Sequence, residues 1–184
     1  FAHRHGMQQG LYTNGVHITL EWAALLKHVM SWVYVSLDEC TPTEYKRSKG
    51  VDKFSAVADG IHFLAEAKGE ATIGVGFLLH QDNYERMHIM ASLGMNWGAD
   101  YVQFRPTVSY SQDKPSEHDD NVDWIDNMLP HLYLIEDRDG VLLDWERFEM
   151  YRDWNGRSYS TCHWTQVQTV ITPNGKVWSC VTKR

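Results

Sequence analysis

Along the first 107 residues, four strand-like segments alternate with stretches whose apolar positions recur every three to four residues. Gly10-Leu-Tyr-Thr-Asn-Gly15 reads as the end of a short strand. Thr19 is placed to cap a helix that carries Glu21 in its first turn and Trp22, Leu25, Leu26 and Val29 at helical spacing. Trp32-Val-Tyr-Val-Ser-Leu37 is rich in β-formers and predicts a buried strand. Thr41-Pro42 opens a short helix, and Phe54 to Lys68 predicts the next, with Phe54, Val57, Ile61 and Leu64 along one face. Ala71-Thr-Ile-Gly-Val-Gly-Phe-Leu-Leu79 is a third strand, and Asp82-Asn83 starts a helix from Tyr84 to about Trp97. Asp100-Tyr-Val-Gln-Phe-Arg105 is a fourth strand, stopped by Pro106. These spacings fit βαβ units and a parallel sheet, so the expected class is α/β.

Beyond Pro106 the patterning is different, which predicts a body of residues 1–107 and an extension of residues 108–184. Ser109 to Asn121 is polar, and its acidic run Asp113 to Asp120 reads as a surface loop. Helical patterning returns at Val122 to Leu129 and again at Trp145 to Tyr151, with Asp139-Gly140 turning into Val141-Leu-Leu-Asp between them. The chain then predicts a β-hairpin: Val167 to Thr172, the turn Pro173-Asn174-Gly175, and an alternating return from Lys176 to Val181. Cys162 and Cys180 stand at its two ends. A hairpin brings two such thiols to one locality, where they share a metal or a cluster or form a disulfide.

Composition narrows the function classes. A chain of 184 residues suffices for one domain with a substantial core. A net charge of −7 leaves no basic stripe for nucleic acid or an anionic membrane surface. No apolar run of about 18 residues and no charged-then-apolar leader occurs, so no membrane association is expected. Three cysteines do not make a disulfide framework, which points to the cytoplasm. The ten histidines include no HExxH pair, and His62 and His88 read as surface or packing residues on helices.

In parallel sheets, ligands bind beyond the carboxyl ends of the strands. That rule selects Thr13-Asn14-Gly15, Ser36-Leu-Asp38, His80-Gln81 and Gln103-Phe-Arg105. Ser36 and Asp38 lie two apart and face one side, as do Gln103 and Arg105. Together they make a polar rim suited to a ribose, a carboxylate and an amine; the competing reading is that such residues cap helices and make turns. Gly74 and Gly76 sit inside a strand and open no helix, so they mark close backbone approach to a ligand or a tight bend rather than a phosphate loop. Cys40 reads as a semi-buried small residue.

Thr13-Asn14-Gly15, Val35-Ser36-Leu37-Asp38-x-x-Thr41-Pro42-x-x-Tyr45, Ile73-Gly74-Val75-Gly76-Phe77 and Ala99-Asp100-Tyr101-Val102-Gln103-Phe104-Arg105-Pro106 resemble the radical SAM superfamily in the order and spacing of its third to sixth barrel strands. The tail, Cys162-x12-Gly175-x4-Cys180, is similar to the opening of a SPASM or twitch extension. The resemblance implies a partial (β/α)6 radical SAM-type barrel followed by a C-terminal extension with a cysteine-bearing β-hairpin. Residues 108–184 would then be a linker and the start of an auxiliary iron–sulfur cluster region.

It also implies an oxidoreductase or modifying enzyme that binds S-adenosylmethionine. A 4Fe–4S cluster, reduced by ferredoxin or flavodoxin, cleaves that cofactor to a 5′-deoxyadenosyl radical, which abstracts hydrogen from a peptide or small-molecule substrate. By position, Asn14 would lie near the methionyl part or the substrate, and Ser36 and Asp38 near ribose and methionine. Val75 and Phe77 would form an apolar wall beside adenine, and Gln103 and Arg105 would face cofactor and substrate. Cys162 and Cys180 would be two ligands of the auxiliary cluster.

Departures from that pattern set the expectation for this chain. The Cys-x3-Cys-x2-Cys triad is absent, as is the Gly-Gly-Glu-Pro element, and the further auxiliary cysteines are missing. The expectation is a piece truncated at both ends, with no catalytic residue and no 4Fe–4S ligands of its own, inactive alone but cut from an active parent. Two alternatives compete with it. One is a cluster-free module that binds a ligand or partner, with a disulfide at Cys162 and Cys180 or a zinc there with His163. The other is an ordinary aldolase-like α/β domain.

Overall fold

The computed structural model describes residues 1–107, 123–152 and 160–179. Five parallel strands form one sheet in the order of the chain: β1 (Gly10–Thr13), β2 (Trp32–Ser36), β3 (Thr72–Leu79), β4 (Tyr101–Pro106) and β5 (Val141–Leu143). Between them run α1 (Leu20–Val29), α2 (Pro42–Lys49), α3 (Phe54–Glu66), α4 (Met87–Asn96) and α5 (Asp123–Tyr133), and α6 (Trp145–Arg152) follows β5. All of these lie in one compact unit, Phe1–Asp153. The sheet is open, with β1 and β5 at its edges, rather than closed into a barrel.

Helix starts follow the local chemistry read from the sequence. Thr19 Oγ1 accepts from the Trp22 amide at 3.3 Å. Thr41 Oγ1 accepts from the Glu44 amide at 3.3 Å and donates to Glu44 Oε2 at 2.8 Å, and Pro42 stands at the first helical position. Gly50, at φ 72°, closes α2 in the left-handed conformation that glycine adopts without strain. Replacing Thr41 by Ala is expected to lower unfolding free energy by about 1 kcal/mol. Urea denaturation checks it, and an unchanged midpoint would mean the cap contributes nothing.

The helices cover one face of the sheet. Val33, Val35, Ile73, Val75, Phe77, Leu79, Val102 and Phe104 lie on that face and are completely buried. Phe77 and Phe104 stack at 5.5 Å between centroids. Val57, Ile61 and Leu64 of α3 join this core as the sequence predicts, and Met128, Leu132 and Phe148 extend it under α5 and α6. α4 lies so close that a Cβ at Gly94 would strike Val102 Cγ2.

Three features differ from the sequence reading. The sheet continues past residue 107, because Val141–Leu143 pairs with Val102–Phe104 as a fifth strand. Three residues after an Asp-Gly turn carry too short a period to announce a strand. In α1, Ala23 and Leu26 face the core, while Trp22 and Leu25 are exposed. Pro106 ends β4 from within the ladder rather than beyond it, and the next residue, Thr107, donates its amide to Leu79 O at 2.8 Å.

The second unit is Trp154–Arg184. It contains α7 (Trp164–Val167) and the antiparallel pair β6 (Val170–Ile171) and β7 (Val177–Trp178). The predicted hairpin is present but shorter than expected, since Val167 ends a helical turn instead of opening a strand. The Thr172 amide donates to Lys176 O at 2.9 Å, and Gly175 supplies a φ of 77°. Cys162 is half-buried; Cys180 and the acidic run Asp113 to Asp120 lie outside the described residues. No helix among the described residues is long and apolar enough to cross a membrane.

Candidate functional site

The face of the sheet opposite the helices carries the chemistry. Parallel register aligns its side chains in rows: Gly10, Trp32 and Thr72; then Tyr12, Tyr34, Gly74 and Tyr101; then Ser36, Gly76, Gln103 and Leu142; then Leu78 and Arg105. Parallel sheets ordinarily have both faces covered, yet Tyr12, Leu78 and Leu142 are exposed here. The glycines make room for an aromatic floor. A Cβ at Gly10 would enter the Trp32 ring, one at Gly74 the Tyr101 ring, and one at Gly76 the Tyr34 phenol. Tyr12 meets Trp32 and Tyr34 edge-to-face at 4.8 and 4.9 Å, and Tyr101 lies 6.5 Å from Tyr34. Arg105 reaches back across this floor, its guanidinium 5.5 Å from the Tyr34 ring centre.

Burial pushes the Tyr34 phenol up to about 12, against the pull of the Arg105 charge. The native state therefore keeps a proton between about pH 10 and pH 12 that the unfolded chain has released. Stability from this group is full below about pH 10 and falls as pH rises towards 12. In a spectrophotometric titration, Tyr34→Phe is expected to remove the component that ionises last. Loss of an early component instead would mean that the phenol is not buried.

At the carboxyl edge, β2 is tied to β3 through Asp38. Its Oδ1 accepts from the Leu78 amide at 2.9 Å, and its Oδ2 pairs with Lys49 Nζ at 2.5 Å. Ser36 Oγ donates to both oxygens at 3.2–3.3 Å. Asp38 has φ 69°, a left-handed conformation that Asp tolerates better than most residues. Asn83 is fully buried; its amide donates to Asp38 O and Leu78 O, and its Oδ1 accepts from the His80 amide. Behind this seam Glu39 is buried, with His80 Nε2 at 3.8 Å and Arg86 Nη2 at 3.9 Å, and its Oε2 makes no hydrogen bond. His80 Nδ1 accepts from the Asp82 amide at 3.3 Å, which leaves the proton of the neutral ring on Nε2, facing Glu39. Burial, then a hydrogen bond to Glu44, pushes the Cys40 thiol up to about 11, so it is a packed, unreactive group as its sequence context indicated.

The rim residues thus separate into two groups. Ser36, Gln103 and Arg105 stand on the open face with partly exposed side chains. Asn14 is exposed at the end of β1, where its Oδ1 accepts from the Val16 amide at 3.2 Å and closes a turn. Asp38 is buried and both its oxygens are bonded within the chain. Val75 and Phe77 point the other way, into the helix-covered core, so on β3 it is Gly74, Gly76 and Leu78 that line the open face. The sequence reading did not select Tyr12, Tyr34 and Tyr101. Gly74 and Gly76 were the signal for them, because alternate glycines in a buried strand mark the face over which neighbouring rings lie. Among the described residues, no group of three or more His, Cys, Asp and Glu side chains is close enough to hold a metal ion.

No protein-family model and no curated protein matches the chain. Solved structures do. Native anSMEcpe with bound AdoMet is similar over 73% of this chain and 40% of its own, with 17% identity and a TM-score of 0.52. The hexahistidine-tagged form of anSMEcpe with bound AdoMet is similar over 73% and 38%, with 18% identity and a TM-score of 0.50. Both are structures of an anaerobic sulfatase-maturating radical SAM enzyme. At that identity the likeness establishes the fold, which is radical SAM-like, and the chain spans about two-fifths of the length of these structures.

Proposed function

We propose that the chain is the cofactor- and substrate-holding part of a radical SAM-type oxidoreductase or modifying enzyme. The observation that carries this reading is the open aromatic floor of the sheet, which ends at a polar rim on the carboxyl edge. It sits on a fold like that of a protein whose structure holds AdoMet. S-adenosylmethionine suits that surface. Its adenine finds the partly exposed ring of Tyr101, its ribose hydroxyls find Ser36 Oγ, and Asn14, Gln103 and Arg105 face its methionyl part and the substrate. Asp38, with its oxygens committed to Leu78, Ser36 and Lys49, holds Ser36 in place rather than meeting the ligand. The bound cofactor supplies hydrogen-atom abstraction after reductive cleavage, with electrons from a ferredoxin or flavodoxin. The substrate is a peptide or small molecule, and the setting is cytoplasmic.

The 4Fe–4S cluster that cleaves the cofactor takes the three thiolates of a Cys-x3-Cys-x2-Cys triad, which this sequence lacks. The described residues do not fit one, and no step is derived through it. In this reading the cluster belongs to the intact parent enzyme, and this chain by itself is inactive. Cys162 and Cys180 are two ligands of an auxiliary cluster of the SPASM or twitch kind, carried by the unit from Trp154 onward, since β5 and α6 lie in the first unit.

Calorimetric titration of the chain with S-adenosylmethionine is expected to give saturable binding. Tyr101→Ala should weaken it about fivefold or more through lost ring contact. Absence of binding at millimolar cofactor would overturn the reading.

A further inference from the structure

Beyond Gly76, β3 loses its neighbour on one side. The β2–β3 ladder ends at Ser36 and Gly76, with one more bond from the Leu37 amide to Gly76 O at 3.0 Å. β3 runs on to Leu79, still paired with β4 through Pro106. On the β2 side, Leu78 is met by side chains instead of a strand. Its amide donates to Asp38 Oδ1 at 2.9 Å, and its carbonyl accepts from Asn83 Nδ2 at 2.9 Å. The second Nδ2 proton goes to Asp38 O at 3.0 Å, and Asn83 Oδ1 accepts from the His80 amide at 2.8 Å. Asn83 is 1% exposed, and its backbone is bonded as well, the amide to His80 O and the carbonyl to the Arg86 amide. One buried carboxamide therefore fixes the two peptides, at residues 38 and 78, between which the Asp38 carboxylate is held. The effect reaches the open face. Asp38 sits at φ 69°, and the bond from Asn83 to its carbonyl helps to keep it there. In that position its carboxylate takes the Ser36 hydroxyl proton, at 3.2–3.3 Å. With that proton committed, Ser36 Oγ has only lone pairs left to offer, and so accepts from a ligand hydroxyl. Without Asn83, two carbonyls lose their donor and Ser36 Oγ loses its set direction.

We propose that Asn83 is a positioning residue for ribose recognition: through the backbone of Asp38 and Leu78 it sets the carboxylate that orients Ser36 Oγ. This rests on the reading of Ser36 as the ribose contact, and it deepens that reading by naming the buried group on which the contact depends. No covalent step is involved.

The test titrates adenosine, 2′,3′-dideoxyadenosine and S-adenosylmethionine separately into the 184-residue chain, with amide hydrogen exchange followed by heteronuclear NMR. The unaltered chain should prefer adenosine to its dideoxy analogue about threefold or more, as one ligand hydrogen bond provides. Ser36→Ala and Asn83→Ala should both abolish that preference at equal folded fraction. Of the two, only Asn83→Ala should speed exchange of the Leu78 amide, about tenfold or more relative to amides at the middle of β3. That N–H is bonded by Asp38 and not by Asn83, so its release reports a displaced carboxylate. A merely structural Asn83 would lower stability and leave the nucleoside ratio alone, as Thr41→Ala should. An adenosine preference that survives Asn83→Ala overturns the proposal, and so does an unchanged Leu78 amide. Equal binding of the two nucleosides by the unaltered chain overturns it too, while S-adenosylmethionine binding in the same series would keep the cofactor reading. An adenosine preference that is lost with Asn83, in a chain that does not bind S-adenosylmethionine, supports the Asn83 assignment and sinks the cofactor reading instead. Failure of all three ligands to bind overturns both. If Asn83→Ala fails to fold, Asn83→Ser, which also lacks the carboxamide donors, is decided by the same two measurements.

Discussion

Phe77→Ala is expected to lower the free energy of unfolding by about 3–5 kcal/mol. The ring is completely buried at the middle of β3, stacked on Phe104 at 5.5 Å and enclosed by the helices on that side. Removing it deletes apolar contacts and leaves a cavity between two strands whose backbones are fixed by ladders on both sides. The sheet cannot collapse into such a gap, so the loss should fall towards the upper end of that range. Urea unfolding followed by tryptophan fluorescence measures it, with Phe77→Leu as a milder control. The result also separates two roles. A ring that walled the adenine would, on truncation, weaken S-adenosylmethionine binding with little effect on stability. A ring in the helix-side core does the reverse: stability falls steeply, and the protein that remains folded binds as before. A loss below about 1 kcal/mol would show that β3 presents its faces the other way round.

That prediction turns on the part of the site that was hardest to read. The strands were legible because Trp32 to Leu37, Ala71 to Leu79 and Asp100 to Arg105 are compact runs of β-formers separated by helical periods. Their caps were legible too, since Thr19 and Thr41 each bond the amide three residues on. The faces were harder. β3 is apolar throughout, so alternation of polar and apolar residues does not say which side meets the helices. The glycines do say it: Gly74 and Gly76 occupy the side where the Tyr101 and Tyr34 rings take the space of a Cβ, which puts Val75 and Phe77 into the core. The placement of Ser36, Gln103 and Arg105 on the open face follows from strand parity alone, whereas that of Asp38 does not. Its sequence position marks a strand end, but only the structure reveals the left-handed backbone that turns its carboxylate inward onto Leu78 and Lys49. β5 escaped because three residues carry no period, and its place in the sheet is decided by pairing with β4.

Asp38→Ala should cost about 2–4 kcal/mol, and the size of the loss across three substitutions identifies its cause. Alanine removes the acceptor of the Leu78 amide, orphaning a partly buried N–H, and frees Ser36 Oγ and Lys49 Nζ. Lys49 is partly exposed and recovers solvation, so little of the loss comes from the cation. Alanine must also hold φ 69°, which costs about 1–2 kcal/mol for a residue with a Cβ and no local hydrogen bond. Glycine loses the same bonds but not the backbone strain, and asparagine keeps both an acceptor and tolerance of that conformation. The expected order of stability is therefore Asp above Asn, Asn above Gly, and Gly above Ala, measured by urea unfolding. Glycine falling below alanine would mean that the positive φ is not maintained. Ligand binding by the same variants carries the functional consequence. Asp38 acts on the open face through Ser36 and the edge of β3, so the Asn variant should bind S-adenosylmethionine almost as tightly as the unaltered chain. A direct carboxylate contact with the ligand would instead make Asn as weak as Ala at equal folded fraction. In that case the carboxylate must turn outward on binding, and Lys49 would have to give it up.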